Sequence, residues 1–97
     1  MKSEKKIIDD INGLRVKIDA IDKELMANFE KRMKIVERIA YIKKDNYLSL
    51  KNESREEEVV LCALKNIDHK FLDEAKMFIE NLINVSKIFQ SKVLMKN

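Results

Sequence analysis

The sequence predicts an all-α fold with three helices in the chain, one of them very long. The 97 residues include no proline and one glycine, so the residues that most often interrupt helices are nearly missing. Apolar residues make up 45% of the chain and charged residues 38%, and they recur at the spacing of amphipathic helices. A chain of this length supports one modest core, and we expect residues 1–97 to form a single domain.

The first predicted helix runs from about Glu4 to Lys44. Helical periodicity places eleven residues on one narrow stripe, and nine of them are apolar: Ile7, Ile11, Leu14, Ile18, Ile21, Leu25, Phe29, Arg32, Val36, Ile39 and Lys43. Such a helix is ~60 Å long, which is too long for the rest of the chain to cover. Its exposed stripe predicts a partner helix, and we expect the partner to be a second copy of the chain in a homodimer.

Two shorter helices are predicted after polar connections. The segment DNYLSLKNES, residues 45–54, is typical of a loop. Ser54 and Glu57 match a capping box, which predicts a second helix from about Arg55 to Asn66. After the connection NIDHKF, the periodicity predicts a third helix from about Leu72 to Leu94.

Charge and cysteine content limit the possible functions. Twenty lysines and arginines against seventeen acidic residues give +3, and no run of like charges suggests a nucleic-acid-binding tail. Cys62 is the single cysteine, which we expect to be a small buried hydrophobe in a reducing compartment. No signal-peptide pattern and no apolar run of ~18 residues is present. We therefore expect a cytoplasmic protein that binds neither nucleic acid nor a membrane.

Each predicted helix carries polar residues on its apolar face. They are Arg32 and Lys43 on the first helix, Glu56 on the second, and Ser86 and Gln90 on the third. For any one of them, a structural ion-pair network is the better interpretation. Together they include two cations and one carboxylate, and burying the surplus cation costs on the order of several kcal/mol unless an anion arrives. The set predicts a pocket for an anionic ligand.

The spacing of these residues suits a small dicarboxylate. Arg32 and Lys43 lie ~16 Å apart along the helix and within ~20° of each other, so their side chains would leave a gap between them. Ser86 and Gln90 are an i, i+4 pair that can contact one ligand. Arg15 lies ~25 Å from Arg32, too far to share that ligand within one chain, but an antiparallel dimer could bring Arg15 of the partner subunit close.

Four segments resemble the all-helical class of chorismate mutases, in order and at the family's separations. They are LRVKIDAIDKEL (14–25), KRMKIVERIAYIKK (31–44), SREEEVV (54–60) and NVSKIFQ (84–90). They match L-R-x-x-I-D-x-I-D, R-x-x-x-V-x-x-I-x-x-x-K, an R-E pair and S-x-x-x-Q. The resemblance covers about Ile8 to Val93. It implies three helices per subunit in an intertwined homodimer, whose two sites convert chorismate, a dianion, to prephenate with no metal or cofactor.

The resemblance also implies a role for each polar residue of the apolar faces. Arg32 and Arg15 of the partner subunit would hold the substrate carboxylates. Lys43 and Gln90 would face the ether oxygen, with Lys43 also near a carboxylate.

The remaining implied contacts involve the substrate ring. Glu56 would accept the hydrogen bond of the ring hydroxyl, and Ser86 would support the ring carboxylate. Asn52 stands where the family commonly has Asp, with no proline after it, and would still contact a hydroxyl. Ala40 replaces a usual glycine, a change that a helix interior favours.

Three other functions fit parts of the pattern. An isochorismate-pyruvate lyase on the same scaffold would also bind a cyclic dicarboxylate, but the spacing of the loop before the R-E pair favours the mutase. A non-catalytic dimerisation or nucleic-acid-binding module would explain the long stripe but not Ser86 and Gln90. A degenerate regulatory mutase domain is the third alternative.

Overall fold

The computed structural model describes residues 3–96 as a set of helices. Helix α1 spans Glu4–Asp45, α2 spans Glu53–Leu64 and α3 spans Leu72–Leu94, and a short 3-10 helix at His69–Phe71 precedes α3. No strand occurs in residues 3–96, so the predicted all-α class is confirmed. The same residues contain no helix with the length and apolar character needed to cross a bilayer.

The chain divides into two structural units, and the first ends at Met33 within α1. In this unit the apolar stripe is in contact with solvent. Its six aliphatic residues are each 43–59% exposed: Ile7, Ile11, Leu14, Ile18, Ile21 and Leu25. The predicted uncovered stripe is therefore present along this part of α1.

The second unit begins at Lys34 and contains the end of α1 together with α2 and α3. Ala40 and Val93 are its fully buried apolar residues, both 0% exposed. Ile39, which we predicted on the buried stripe, is instead 43% exposed, so the buried face of α1 is turned by one residue.

The end of α1 is a Schellman motif, a six-residue arrangement that uses the last free carbonyls of a helix. The Leu48 amide donates to the Lys43 carbonyl at 2.8 Å, and the Tyr47 amide donates to the Lys44 carbonyl at 3.2 Å. The motif needs one residue in the left-handed conformation, usually glycine, and Tyr47 occupies that place with φ 57°. The carbonyls around Lys43 are thereby satisfied within the turn.

Helix α2 begins two residues earlier than predicted, because Asn52 is the cap. The Asn52 side-chain oxygen accepts from the Arg55 amide at 3.1 Å, and its carbonyl accepts from the Glu56 amide at 3.1 Å. Ser54 lies inside the helix, so the predicted capping box is wrong. Asparagine and serine are both favoured caps, and the sequence offers one of each two residues apart.

Cys62 is exposed, which corrects the prediction that it is a core residue. Val60 is half-buried in α2, and Cys62 follows it by two residues, or ~200° around the helix. The apolar run Val-Val-Leu-Cys-Ala-Leu thus surrounds the helix instead of following one face. The periodicity also predicts Ala63 and Ile67 on the apolar face with Val60, but both are exposed.

Helix α3 has the bounds that its periodicity predicts. The periodicity predicts one stripe on this helix: Leu72, Ala75, Ile79, Leu82, Ile83, Ser86, Gln90 and Val93. Most of this stripe is covered: Ala75, Ile79, Leu82, Ile83 and Gln90 are half-buried, and Ser86 and Val93 are buried. At its end, the Lys44 ammonium donates to the Val93 carbonyl at 3.2 Å and also to the Lys96 carbonyl. Lys44 therefore ties the last turn of α1 to the end of α3.

Candidate active site

Lys43 lies in the last turn of α1, where it is half-buried. It lines an open groove of about 650 Å³ together with Lys44, Asp45, Tyr47, Leu48 and Leu94. Among residues 3–96, the Lys43 ammonium has no carboxylate or hydrogen-bond partner. Asp45 contributes a carboxylate to the lining of the same groove but forms no ion pair with Lys43. A partly desolvated cation that is not paired with a carboxylate is a suitable group for binding a negatively charged ligand.

Ser86 and Gln90 lie one helical turn apart on α3 and face inward. Ser86 is 7% exposed, and its Oγ donates to the Leu82 carbonyl at 3.0 Å. Gln90 is half-buried, and its amide group has no hydrogen-bond partner among residues 3–96. Both residues have the placement that the periodicity predicts, and the Gln90 amide can donate to a ligand.

Glu56 lies at the first turn of α2, with 30% of its side chain exposed. The Lys87 ammonium approaches its Oε1 to 3.0 Å, forming an ion pair between α2 and α3. Lys87 is not among the site residues predicted from the sequence, because it lies beside the apolar stripe of α3 and not on it. Its position directly after Ser86 in the sequence is the feature that could have identified it as a site residue.

Contacts along one stretch of α3 bring the three helices of the second unit together. Glu56 of α2 reaches α3 at Lys87, and Lys44 of α1 reaches α3 at Val93. The two contact points are six residues, or ~9 Å, apart, and Gln90 lies halfway between them. The predicted polar residues of α1, α2 and α3 in this unit therefore belong to turns that meet along one segment of α3.

Asn52 has a structural role in addition to the substrate contact predicted for it. Its side-chain oxygen is used in the cap of α2, in the hydrogen bond to the Arg55 amide. The side-chain nitrogen is not part of the cap and keeps its donor capacity. Asn52 thus fixes the start of the helix that carries Glu56, one turn further on.

Arg15 and Arg32 both lie in the first unit, on α1. Arg32 is half-buried. Arg15 is exposed, and its Nη1 donates to the Asn12 side-chain oxygen at 3.4 Å. Within the single chain, Arg15 contacts its own helix surface.

A comparison with protein-family models matches residues 14–91 to chorismate mutase type II. The chain belongs to the chorismate mutase type II family. As a member of this family it is an isomerase that converts chorismate to prephenate, which confirms the function that the four sequence motifs predict. All seven candidate site residues of the sequence analysis lie within the matched segment. Neither the curated proteins nor the solved structures contain a match to this chain.

Proposed function

We propose that the chain catalyses the chorismate mutase reaction as a homodimer, in which each of two sites uses residues of both subunits. Support comes from the small surface area that the single chain buries. A protein of 11.5 kDa that packs only against itself exposes about 5800 Å², whereas this chain exposes 8559 Å². The aliphatic stripe of the first unit contributes to this excess, and a second copy can cover it.

In each proposed site, two arginines select the reactive shape of the substrate. Arg32 binds one carboxylate, and Arg15 of the partner subunit binds the other. Guanidinium groups bind carboxylates through paired hydrogen bonds, which fixes orientation as well as position. Holding both carboxylates brings the two carbons that form the new bond close together, and this pre-organisation lowers the barrier.

Lys43 and Gln90 act on the bond that breaks. In the rearrangement one C–O bond breaks as one C–C bond forms, within a single molecule and without proton transfer. Negative charge grows on the ether oxygen, and the ammonium and the amide N–H stabilise it. Both side chains are half-buried, so neither must give up full hydration when substrate binds.

The remaining residues hold the ring. Glu56 accepts the hydrogen bond of the ring hydroxyl, and Ser86 supports the ring carboxylate. Asn52 uses its side-chain nitrogen toward a hydroxyl while its oxygen caps α2. We propose that residues 1–97 act as one catalytic domain and, because Cys62 fits a reducing compartment, that the enzyme is cytoplasmic.

The observation that carries the site assignment is the environment of Lys43. Its ammonium is half-buried and lacks a carboxylate partner among residues 3–96. The neighbouring Lys44 contacts α3 three residues beyond Gln90, so the two proposed donors belong to turns in contact. An ammonium without an ion-pair partner and an amide donor, both directed at one substrate oxygen, would stabilise a developing oxyanion.

The test uses two single variants and their mixture. We expect Lys43→Ala to lower kcat/KM for chorismate at least ~100-fold, since one such donor contributes ~3–4 kcal/mol to the transition state. Lys92→Ala removes an exposed lysine of α3 and serves as the control, with near-normal activity expected. Near-normal turnover by a folded Lys43→Ala variant, checked by circular dichroism, would refute the assignment.

Mixing tests whether the site is shared between subunits. Arg15→Ala and Lys43→Ala are each expected to be nearly inactive. After co-refolding in equal amounts, half of the dimers are mixed and each has one intact site, so about a quarter of wild-type activity should return. A mixture no more active than its components would exclude a shared site.

A further inference from the structure

We infer that Lys87 is a positioning residue for the chorismate mutase reaction, which orients and charge-balances the carboxylate of Glu56. This inference rests on the proposed role of Glu56 as acceptor for the ring hydroxyl. Lys87 Nζ lies 3.0 Å from Glu56 Oε1, which meets the criteria of both a hydrogen bond and an ion pair. The two residues are 31 positions apart in sequence, so the contact depends on the packing of α2 against α3.

The pair differs from four ion pairs on the surface of residues 3–96. These four join residues within four positions of each other: Lys6–Asp10, Lys51–Glu53, Arg55–Glu58 and Lys70–Asp68. Their side chains are mostly well exposed, and such pairs contribute little to stability. The Glu56 side chain is 30% exposed, the lowest fraction among these ion-paired groups, so its interaction with Lys87 is the least screened.

The geometry divides the two oxygens of the Glu56 carboxylate between two tasks. Oε1 accepts from Lys87, whereas Oε2 has no hydrogen-bond partner among residues 3–96. An ionised carboxylate can accept several hydrogen bonds, so Oε2 remains available for the substrate hydroxyl. Because Lys87 holds Oε1, the Glu56 side chain has restricted rotamer freedom before substrate binds. Less conformational entropy is therefore lost on binding.

Charge gives Lys87 a second effect on the same step. Chorismate carries two negative charges, and an unpaired carboxylate in its site would repel it. Glu57 and Glu80 line the same groove as Glu56, of about 610 Å³, and add to the negative potential there. The Lys87 ammonium offsets this potential at the one carboxylate that the substrate must approach.

The inference predicts a change in substrate binding more than in the chemical step. We expect Lys87→Met to raise KM for chorismate ~2–5-fold, the range for one partly exposed ion pair, with kcat changed less. Lys87→Arg keeps the charge and reach and should restore most of the affinity. Lys92→Met, on the same helix without an ion-pair partner in residues 3–96, is the matched control and should leave KM unchanged.

Two comparisons separate positioning from a merely structural role. In a Glu56→Gln background, Lys87→Met should raise KM less than it does in the wild type, because the carboxylate that Lys87 orients is gone and only its effect on the potential of Glu57 and Glu80 remains. With a chorismate analogue that lacks the ring hydroxyl, the KM of Lys87→Met should exceed that of the wild-type enzyme only by the effect of electrostatic repulsion between the unpaired Glu56 carboxylate and the analogue. Circular dichroism checks that each variant is folded, and Lys87→Gln replaces Lys87→Met if the latter is not.

The possible results are distinguishable. If Glu56→Gln lowers kcat/KM but Lys87→Met matches the wild type, Lys87 is not a positioning residue and the proposed site stands. If the effects of the two substitutions simply add, Lys87 acts independently of Glu56 and the inference is wrong. If Glu56→Gln itself has no effect, the role of Glu56 in the proposed function fails, and the inference fails with it.

Discussion

Replacing Lys44 by methionine should destabilise the protein, because Lys44 ties two helix ends together. Its ammonium donates to the Val93 carbonyl at 3.2 Å and to the Lys96 carbonyl, at the end of α3. The last carbonyls of a helix have no partner within it, and a cation there also interacts favourably with the helix dipole. Methionine keeps much of the apolar stem of the side chain and removes the charge, so it isolates the polar contribution.

The magnitude follows from these contacts. A hydrogen bond with one charged partner contributes ~1.5–3 kcal/mol to stability, and a cation at a helix C-terminus ~0.3–1 kcal/mol. Holding a lysine side chain in one conformation costs up to ~2 kcal/mol. Because Lys44 is half-buried and Lys96 is exposed, we expect a net loss of ~1–2 kcal/mol.

Urea denaturation followed by circular dichroism at 222 nm measures this loss. With a denaturant dependence of ~1.5 kcal/mol per molar, the midpoint should fall by roughly 0.7–1.3 M. All proteins must be compared at one chain concentration, since the stability of a dimer depends on it. Lys92→Met serves as the control for the loss of one positive charge. A Lys44→Met midpoint equal to that of Lys92→Met would show that the contact with α3 contributes nothing.

Three further predictions concern α1, the turn after it and the cap of α2. Leu14→Glu, on the exposed stripe, should shift the protein toward monomer in sedimentation velocity, whereas Val16→Glu, off that stripe, should not; equal effects would contradict the proposed interface. Asn52→Ala should lower the free energy of unfolding by ~1 kcal/mol, while Ser54→Ala should change it by less than ~0.5 kcal/mol. A larger loss for Ser54→Ala than for Asn52→Ala would show that Ser54, and not Asn52, caps α2. Tyr47→Gly should raise the melting temperature, since glycine removes ~1 kcal/mol of left-handed strain, and an unchanged or lower value would argue against strain at this turn.

The sequence predicted the class of fold and the bounds of the long helices well. Helix α3 agrees at both ends, and α1 ends one residue later than predicted. Both helices have long amphipathic patterns, and such patterns are the most reliable signal in a sequence. The start of α2 was wrong because two favoured caps, Asn52 and Ser54, compete within three residues. Which of the two residues caps α2 depends on the conformation of the preceding turn, and tertiary packing determines that conformation.

The candidate site was predicted to the extent that it depends on helix faces. Ser86 and Gln90 face inward because their spacing puts them on the apolar side of α3. Lys44 and Lys87 were missed because they lie at the edges of buried faces, where a helical wheel cannot tell a surface lysine from one that reaches another helix. The angle and distance at which helices pack decide that difference.

The scarcity of buried apolar residues within one chain has a consequence for how the protein reaches its active form. Ala40 and Val93 are the fully buried apolar side chains of residues 3–96, and two small residues cannot offset the entropy lost in ordering the chain. We therefore expect refolding after dilution from urea to be second order, because a new chain gains most of its burial when it meets another. Newly made enzyme at low copy number would then mature slowly, and an excess of chains would speed its maturation.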